Sequence, residues 1–174
     1  MLHHVTCRRQ PRRRKTDPPE ELRYLILAAQ REGSRDLART LRPLGLTPAQ
    51  AEVLVVLDGA APLSVRGLGE RLVCESGSPS RLVASLVAAG LVRSRPSSRD
   101  GRAAEVSLTA AGRQATEAVR GVERELHAAI GAGWTAEEIP TVLRVLRRLL
   151  ADRPAGRALE LRRRTVGDGP GQGA

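Results

Sequence analysis

Between Leu63 and Thr109 the sequence changes its pattern in an order that few chain paths can accommodate. Pro62-Leu63 reads as a short strand or turn, Val65 to Val73 as a helix, and Glu75 to Pro79 as a Ser/Gly/Pro turn. A second helix follows from Pro79 to Ala89. Then comes a two-stranded ribbon, out from Leu91 to Arg95 and back from Ala104 to Leu108. It turns at Ser97-Ser98-Arg99-Asp100-Gly101-Arg102, where Asp-Gly suits the backbone reversal of a hairpin. Aromatic residues make up only 1% of the chain, one Tyr and one Trp with no Phe, so the core falls to Leu, Val, Ile and Ala. Such a core is easier to assemble from helices than from a β-sandwich.

Helix, tight turn, helix and basic hairpin, in that order, is the outline of a winged helix-turn-helix. The expected fold is mainly α: a winged helix-turn-helix over residues 47–108, with N- and C-terminal helices at 20–46 and 109–151 forming a dimerisation domain. A disordered basic arm at 1–19 and a flexible C-terminal tail at 152–174 complete the expected organisation, with Ala158 to Arg164 as a possible frayed helix.

The second helix of the motif can be read by angle. At about 100° per residue, Pro79, Leu82, Val83, Leu86 and Gly90 fall on one side, and Gly77, Ser78, Ser80, Arg81, Ala84, Ser85 and Ala88 on the other. The outer face is small and polar with one positive charge, which permits close approach to a groove. An ordinary surface helix would carry Glu/Lys pairs four apart instead, and this one has none. Its cap is Ser76 or Ser78, because Pro79 is tolerated only in the first turn. Ser64, which caps the preceding helix, joins Ser76, Gly77, Ser78, Ser80, Arg81 and Ser85 as a candidate phosphate or groove contact. On the ribbon, Arg95, Ser98, Arg99 and Arg102 are candidate phosphate or groove contacts, and Asp100 between two arginines would brace one of them outward.

Charge supports a polyanion partner. The formal net charge is +10, of which +5 lies in residues 1–19 and +2 in residues 152–174. Within 76–113, six arginines face only Asp100 and Glu105, so the folded part's positive charge concentrates on the second helix and the ribbon.

Elsewhere the chain carries helix signals. Leu22, Leu25, Ile26, Ala29, Leu37 and Leu41 recur at helical spacing, with a weak point at Gly33-Ser34 and a stop at Pro43-Leu44-Gly45. Thr47, Pro48 and Gln50 form a capping-box start for a short apolar helix ending at Asp58-Gly59. Thr109 caps a helix to about Ile130, and Thr135 with Glu138 reads as a second capping box, with Trp134 stapled on Ile139. Pro140 should bend that last helix or loosen its first turns. The apolar faces at both ends of the chain exceed what the central motif can cover, which points to a two-fold homodimer presenting two reading helices to half-sites ~34 Å apart.

No apolar core of a secretory signal stands in Met1 to Gln10, and no run approaches the ~18 apolar residues of a membrane span, so a cytoplasmic protein with free thiols is expected. His3, His4 and His127 do not converge with carboxylates or cysteines, so neither an enzyme nor a metal or cofactor site is expected. Two alternatives within the fold are a thiol sensor using Cys74 or Cys7, and a winged helix serving protein contacts alone. No Lys or His adjoins Cys74 to lower its pKa, which favours a small buried apolar role for it.

The run LGERLVCESGSPSRLVASLVAAGLVRSRPSSRDGRAAEVSLTAAGR resembles the DNA-binding core of the MarR family of bacterial regulators, and the likeness extends over roughly Glu20 to Ala151. It is carried by Arg81 to Val83, by the wing tip at Asp100 to Arg102, and by Ser-Leu-Thr-x-x-Gly at Ser107 to Gly112. The resemblance implies an obligate dimer that binds pseudo-palindromic promoter DNA as double-stranded sites, commonly as a repressor. Release would follow entry of a small apolar or phenolic effector into a crevice, where Tyr24 is one of few polar-tipped groups, or oxidation of a cysteine. Base readout would rest on Ser78, Ser80 and Arg81, with Arg102 entering the minor groove.

Overall fold

The computed structural model describes residues 17–74, 78–97 and 104–167, with side chains as far as Arg164. The expected basic arm as far as residue 16, Ser76 and Gly77 of the turn, the ribbon tip and residues 168–174 lie outside the described residues. The chain divides into two compact units, residues 1–35 and 36–174.

The first unit holds most of helix α1 (Pro18–Leu41). The helix runs unbroken past Gly33, and Gln30 Nε2 donates to Ser34 Oγ at 3.2 Å beside it. Leu22, Tyr24, Leu25 and Leu27 are exposed along it.

In the second unit, the last turn of α1 buries Leu41, and a 3-10 turn at Arg42–Leu44 places Pro43 where the helix stops. Thr47 then opens α2 (Pro48–Ala60) with the expected capping box. Thr47 Oγ1 accepts from the Gln50 amide at 3.3 Å, and Gln50 Oε1 accepts from the Thr47 amide at 3.0 Å. Helix α2 is the centre of the unit: Val53, Leu54 and Leu57 are fully buried, and it packs against later helices and the sheet. It continues through Asp58-Gly59 to Ala60, one residue past the stop expected there. Strand β1 (Leu63–Ser64) and helix α3 (Val65–Gly69) follow, then α4 (Pro79–Ala88), β2 (Val92–Pro96) and β3 (Ala104–Leu108). The strands form an antiparallel sheet in the order β1-β3-β2, with Val92 opposite Leu108 and Arg95 opposite Glu105. Alternation sends Val92, Val106 and Leu108 into the core beside Leu68, Val83 and Leu86.

Thr109 opens α5 (Ala110–Ala132) by accepting from the Gly112 amide at 2.9 Å. Helix α5 packs along α2, where Arg120 donates to Asp58 Oδ2 from Nε at 3.1 Å and from Nη2 at 2.6 Å. Mainly helical with one small antiparallel sheet, the architecture is a winged helix-turn-helix with helical flanks. No described helix is long and apolar enough to cross a membrane.

Three further boundaries differ from expectation. Helix α3 has five residues instead of reaching Val73: the Arg71 and Leu72 amides turn to carbonyls three residues back, and the Val73 and Cys74 amides donate to the Glu52 carboxylate. Helix α6 (Glu138–Leu150) starts at Glu138, since Pro140 lacks an amide donor and can stand only in a first turn. Half of the expected box survives there: the Thr135 amide donates to Glu138 at 2.8 Å, which holds the Glu138 carboxyl below its usual range, while Trp134 is exposed. The third difference is the largest. Residues 152–167, expected to belong to a flexible tail, contain the helix α7 (Pro154–Gly167), which packs against α2 and α6. Its stability is tertiary, from the buried Ala158 and an ion pair between Arg162 and Glu52 at 2.6 Å.

Candidate nucleic-acid interface

The second helix of the motif is held from beneath by its apolar side. Val83 and Leu86 are buried and Leu82 is half-buried, while Ser80, Arg81, Ala84, Ser85 and Ala88 are exposed, as the angular reading expects. Gly90, expected with the inward set, is exposed at the end of the helix. Ser78 occupies the N-cap with an extended backbone, although its side chain makes no capping bond. The first residue of α4 rests on the last of α3: a Cβ built on Gly69 would lie 2.9 Å from Pro79 Cγ.

The hydroxyls on this side are unequal. Ser85 Oγ donates to the Leu82 carbonyl at 2.8 Å and accepts from Gln50 Nε2 at 3.1 Å, so it is committed to α2. Gln50 thereby serves twice, closing the cap of α2 and bracing α4. Ser64 Oγ accepts from the Gly67 amide at 3.0 Å, which spends its oxygen on capping α3. Ser80 and Arg81 are left as the exposed polar groups of α4, and Arg81 forms no ion pair with a described residue.

The ribbon leaves α4 directly. The Leu91 amide donates to the Leu86 carbonyl at 2.9 Å, and Thr109 Oγ1 donates to the Gly90 carbonyl at 2.7 Å, so the helix end and the ribbon base are tied together. Along the ribbon, Arg93 Nε donates to Ser107 Oγ at 2.9 Å, and Ser97 Oγ donates to Glu105 Oε1 at 2.7 Å. Arg95 is exposed opposite Glu105. The remaining candidates, Ser76, Gly77, Ser98, Arg99, Asp100 and Arg102, lie outside the described residues.

An exposed, slender helix face, followed by a basic ribbon anchored at that helix's end, is geometry able to place one element in a groove and the next along a backbone. The sequence model of the MarR family matches residues 44–103. The multiple antibiotic resistance protein MarR of Escherichia coli (strain K12) is 31% identical over 127 residues, which are 72% of this chain and 88% of that protein. The chain belongs to the MarR family. The HTH-type transcriptional repressor IacR of Pseudomonas putida is 26% identical over 113 residues, 65% of this chain and 68% of that one. Among solved structures, a mutant E. coli MarR complexed with operator DNA has a TM-score of 0.69 at 30% identity, covering 75% of this chain and 94% of that one. Within the family's frame, then, this chain has the fold of a MarR-type transcription regulator.

The residues considered for regulation fare differently. Cys74 is exposed as a residue, but burial pushes its thiol up to about 11, and the Glu52 carboxylate adds to the effect while Arg162 partly opposes it. Such a thiol is protonated at neutral pH and a poor target for oxidation. Cys7 lies outside the described residues. Tyr24 is 53% exposed, with the Arg23 guanidinium 4.1 Å over its ring. Sequence reasoning read Gln50 only as part of a cap and not as a brace for α4, and it missed Glu52. The signal was present: Glu52 is the one acid inside the apolar run Ala49 to Leu57.

Proposed function

We propose that this MarR-family protein is a transcriptional repressor that binds pseudo-palindromic promoter DNA as a homodimer. In each protomer α4 would enter a major groove, with Ser80 and Arg81 toward the bases, and the ribbon would reach the flanking backbone through Arg95, Ser98, Arg99 and Arg102. Asp100 would brace the wing. Ser78, Ser76 and Gly77 would bring the backbone at the helix start close to phosphate, and Ser64 and Ser85 would hold α3 and α4 in place.

The observation that carries this reading is the exposed face of α4, composed of Ser80, Arg81, Ala84, Ser85 and Ala88 in a lobe of MarR fold. A helix with so little side-chain bulk outward suits a groove better than it suits water. Dimerisation is supported by exposed apolar side chains on α6, at Leu143, Val145 and Leu149, and separately on α1, at Leu22 and Leu25. Response to a small apolar or phenolic effector belongs to the same proposal through the family resemblance.

The test is to pass fragmented genomic DNA over the immobilised protein and sequence what is retained. Enrichment of a short inverted repeat upstream of genes is expected, and retention without a shared sequence would contradict specific readout. On the enriched duplex, Arg81→Ala is expected to weaken binding by about 1–3 kcal/mol.

A further inference from the structure

Glu52 is 8% exposed and its carboxylate is fully engaged. Oε1 accepts from the Val73 amide at 2.8 Å and from Arg162 Nη1 at 2.6 Å, and Oε2 accepts from the Cys74 amide at 2.8 Å. Two of these donors belong to the backbone between α3 and α4, and the third comes from α7. A buried carboxylate without a cation is costly, and among the described residues Arg162 is the cation paired with it.

The connection between the two helices of the motif is therefore fixed at both ends. Val73 and Cys74 are held by Glu52, and Pro79 at the start of α4 presses on Gly69 at the end of α3. Helix α7 lies over the same place: Pro154, Ala158 and Leu161 share a cleft with Gly69, Leu72 and Val73. The corner that delivers α7 there is also sterically defined, since a Cβ on Gly156 would stand 2.1 Å from the Leu150 carbonyl oxygen. Displacing Arg162 leaves the Glu52 carboxylate without that cation, and it must then take up a proton or turn toward water, either of which weakens its hold on the two amides.

We infer that Glu52 is a positioning residue for the α4 helix, and that α7, through Arg162, is the element that keeps it in place. The C-terminal helix is then part of the DNA-reading apparatus. This inference rests on the DNA-reading role proposed above, but its structural half can be tested without DNA.

The experiment compares wild type, Arg162→Ala, Arg162→Lys and Glu52→Gln in the full chain. Hydrogen exchange at the Val73 and Cys74 amides is measured without DNA, and affinity for the genome-enriched duplex is measured over a series of salt concentrations. Faster exchange at both amides is expected in Arg162→Ala and Glu52→Gln, with recovery in Arg162→Lys. Affinity should fall about tenfold in the first two, as for coupling between distinct sites. The salt slope should stay that of wild type, because Arg162 faces a carboxylate and not a phosphate. Unchanged exchange in Arg162→Ala would overturn the inference, as would unchanged affinity. A salt slope shallower by about one would overturn it too, by making Arg162 a direct phosphate contact. Faster exchange in a protein whose wild type retains no DNA would sink the proposed function while leaving the link between α7 and the α3–α4 connection intact.

Discussion

A Cβ on Gly112 would stand 1.9 Å from the Leu91 carbonyl oxygen, so the start of α5 and the base of the ribbon meet as closely as they do because that position has no side chain. Gly112→Ala must push two backbones apart, and the expected cost is about 1–3 kcal/mol or more, seen as a lower urea midpoint at unchanged slope. Cys74 offers a second test on a single residue. With its thiol pushed up to about 11, the reactive thiolate is scarce at pH 8. Site-resolved alkylation of Cys74 at pH 8 should run roughly tenfold to a hundredfold slower than that of a free cysteine, the lower bound allowing for the greater nucleophilicity of a high-pKa thiolate. The rate should keep rising past pH 10. A rate at pH 8 that matches free cysteine would restore the thiol-sensor alternative.

Among the elements, those announced by local chemistry were the most legible. Thr47 with Gln50, and Thr109 with Gly112, act within one turn of chain, so the starts of α2 and α5 can be read without knowing what packs on them. The outward face of α4 was legible for the same reason, since its burial follows helical spacing. The path after α3 was not, because the Val73 and Cys74 amides turn to Glu52, 21 and 22 residues away. Helix α7 was legible only as the frayed stretch Ala158 to Arg164, because its anchor joins Arg162 to Glu52 across 110 residues. The wing tip was the most distinctive part of the sequence and lies outside the described residues. Thr109 tests how far one cap orders several elements, since its hydroxyl also bonds the Gly90 and Leu91 carbonyls at 2.7 and 3.2 Å. Thr109→Ala should destabilise the fold by about 1–2 kcal/mol, and Thr109→Ser should recover most of the loss. Equal unfolding midpoints for the alanine and serine variants would show that the hydroxyl is not what matters.

One copy offers one slender, exposed helix face and one basic ribbon, and it leaves Leu143, Val145 and Leu149 of α6 exposed to water. A two-fold pair would cover apolar surface of this kind and double the contact with a pseudo-palindrome. Net charge of +10 adds a sequence-independent attraction, so binding should weaken steeply with salt while the preference for the repeat persists. The most direct measurement is a hydroxyl-radical footprint on the genome-enriched duplex, with the protein-to-duplex stoichiometry determined on the same sample. Two chains per duplex are expected, protecting two segments related by the repeat and centred roughly one helical turn, about 34 Å, apart. A single protected segment bound by one chain, or uniform protection without a repeat, would contradict the account.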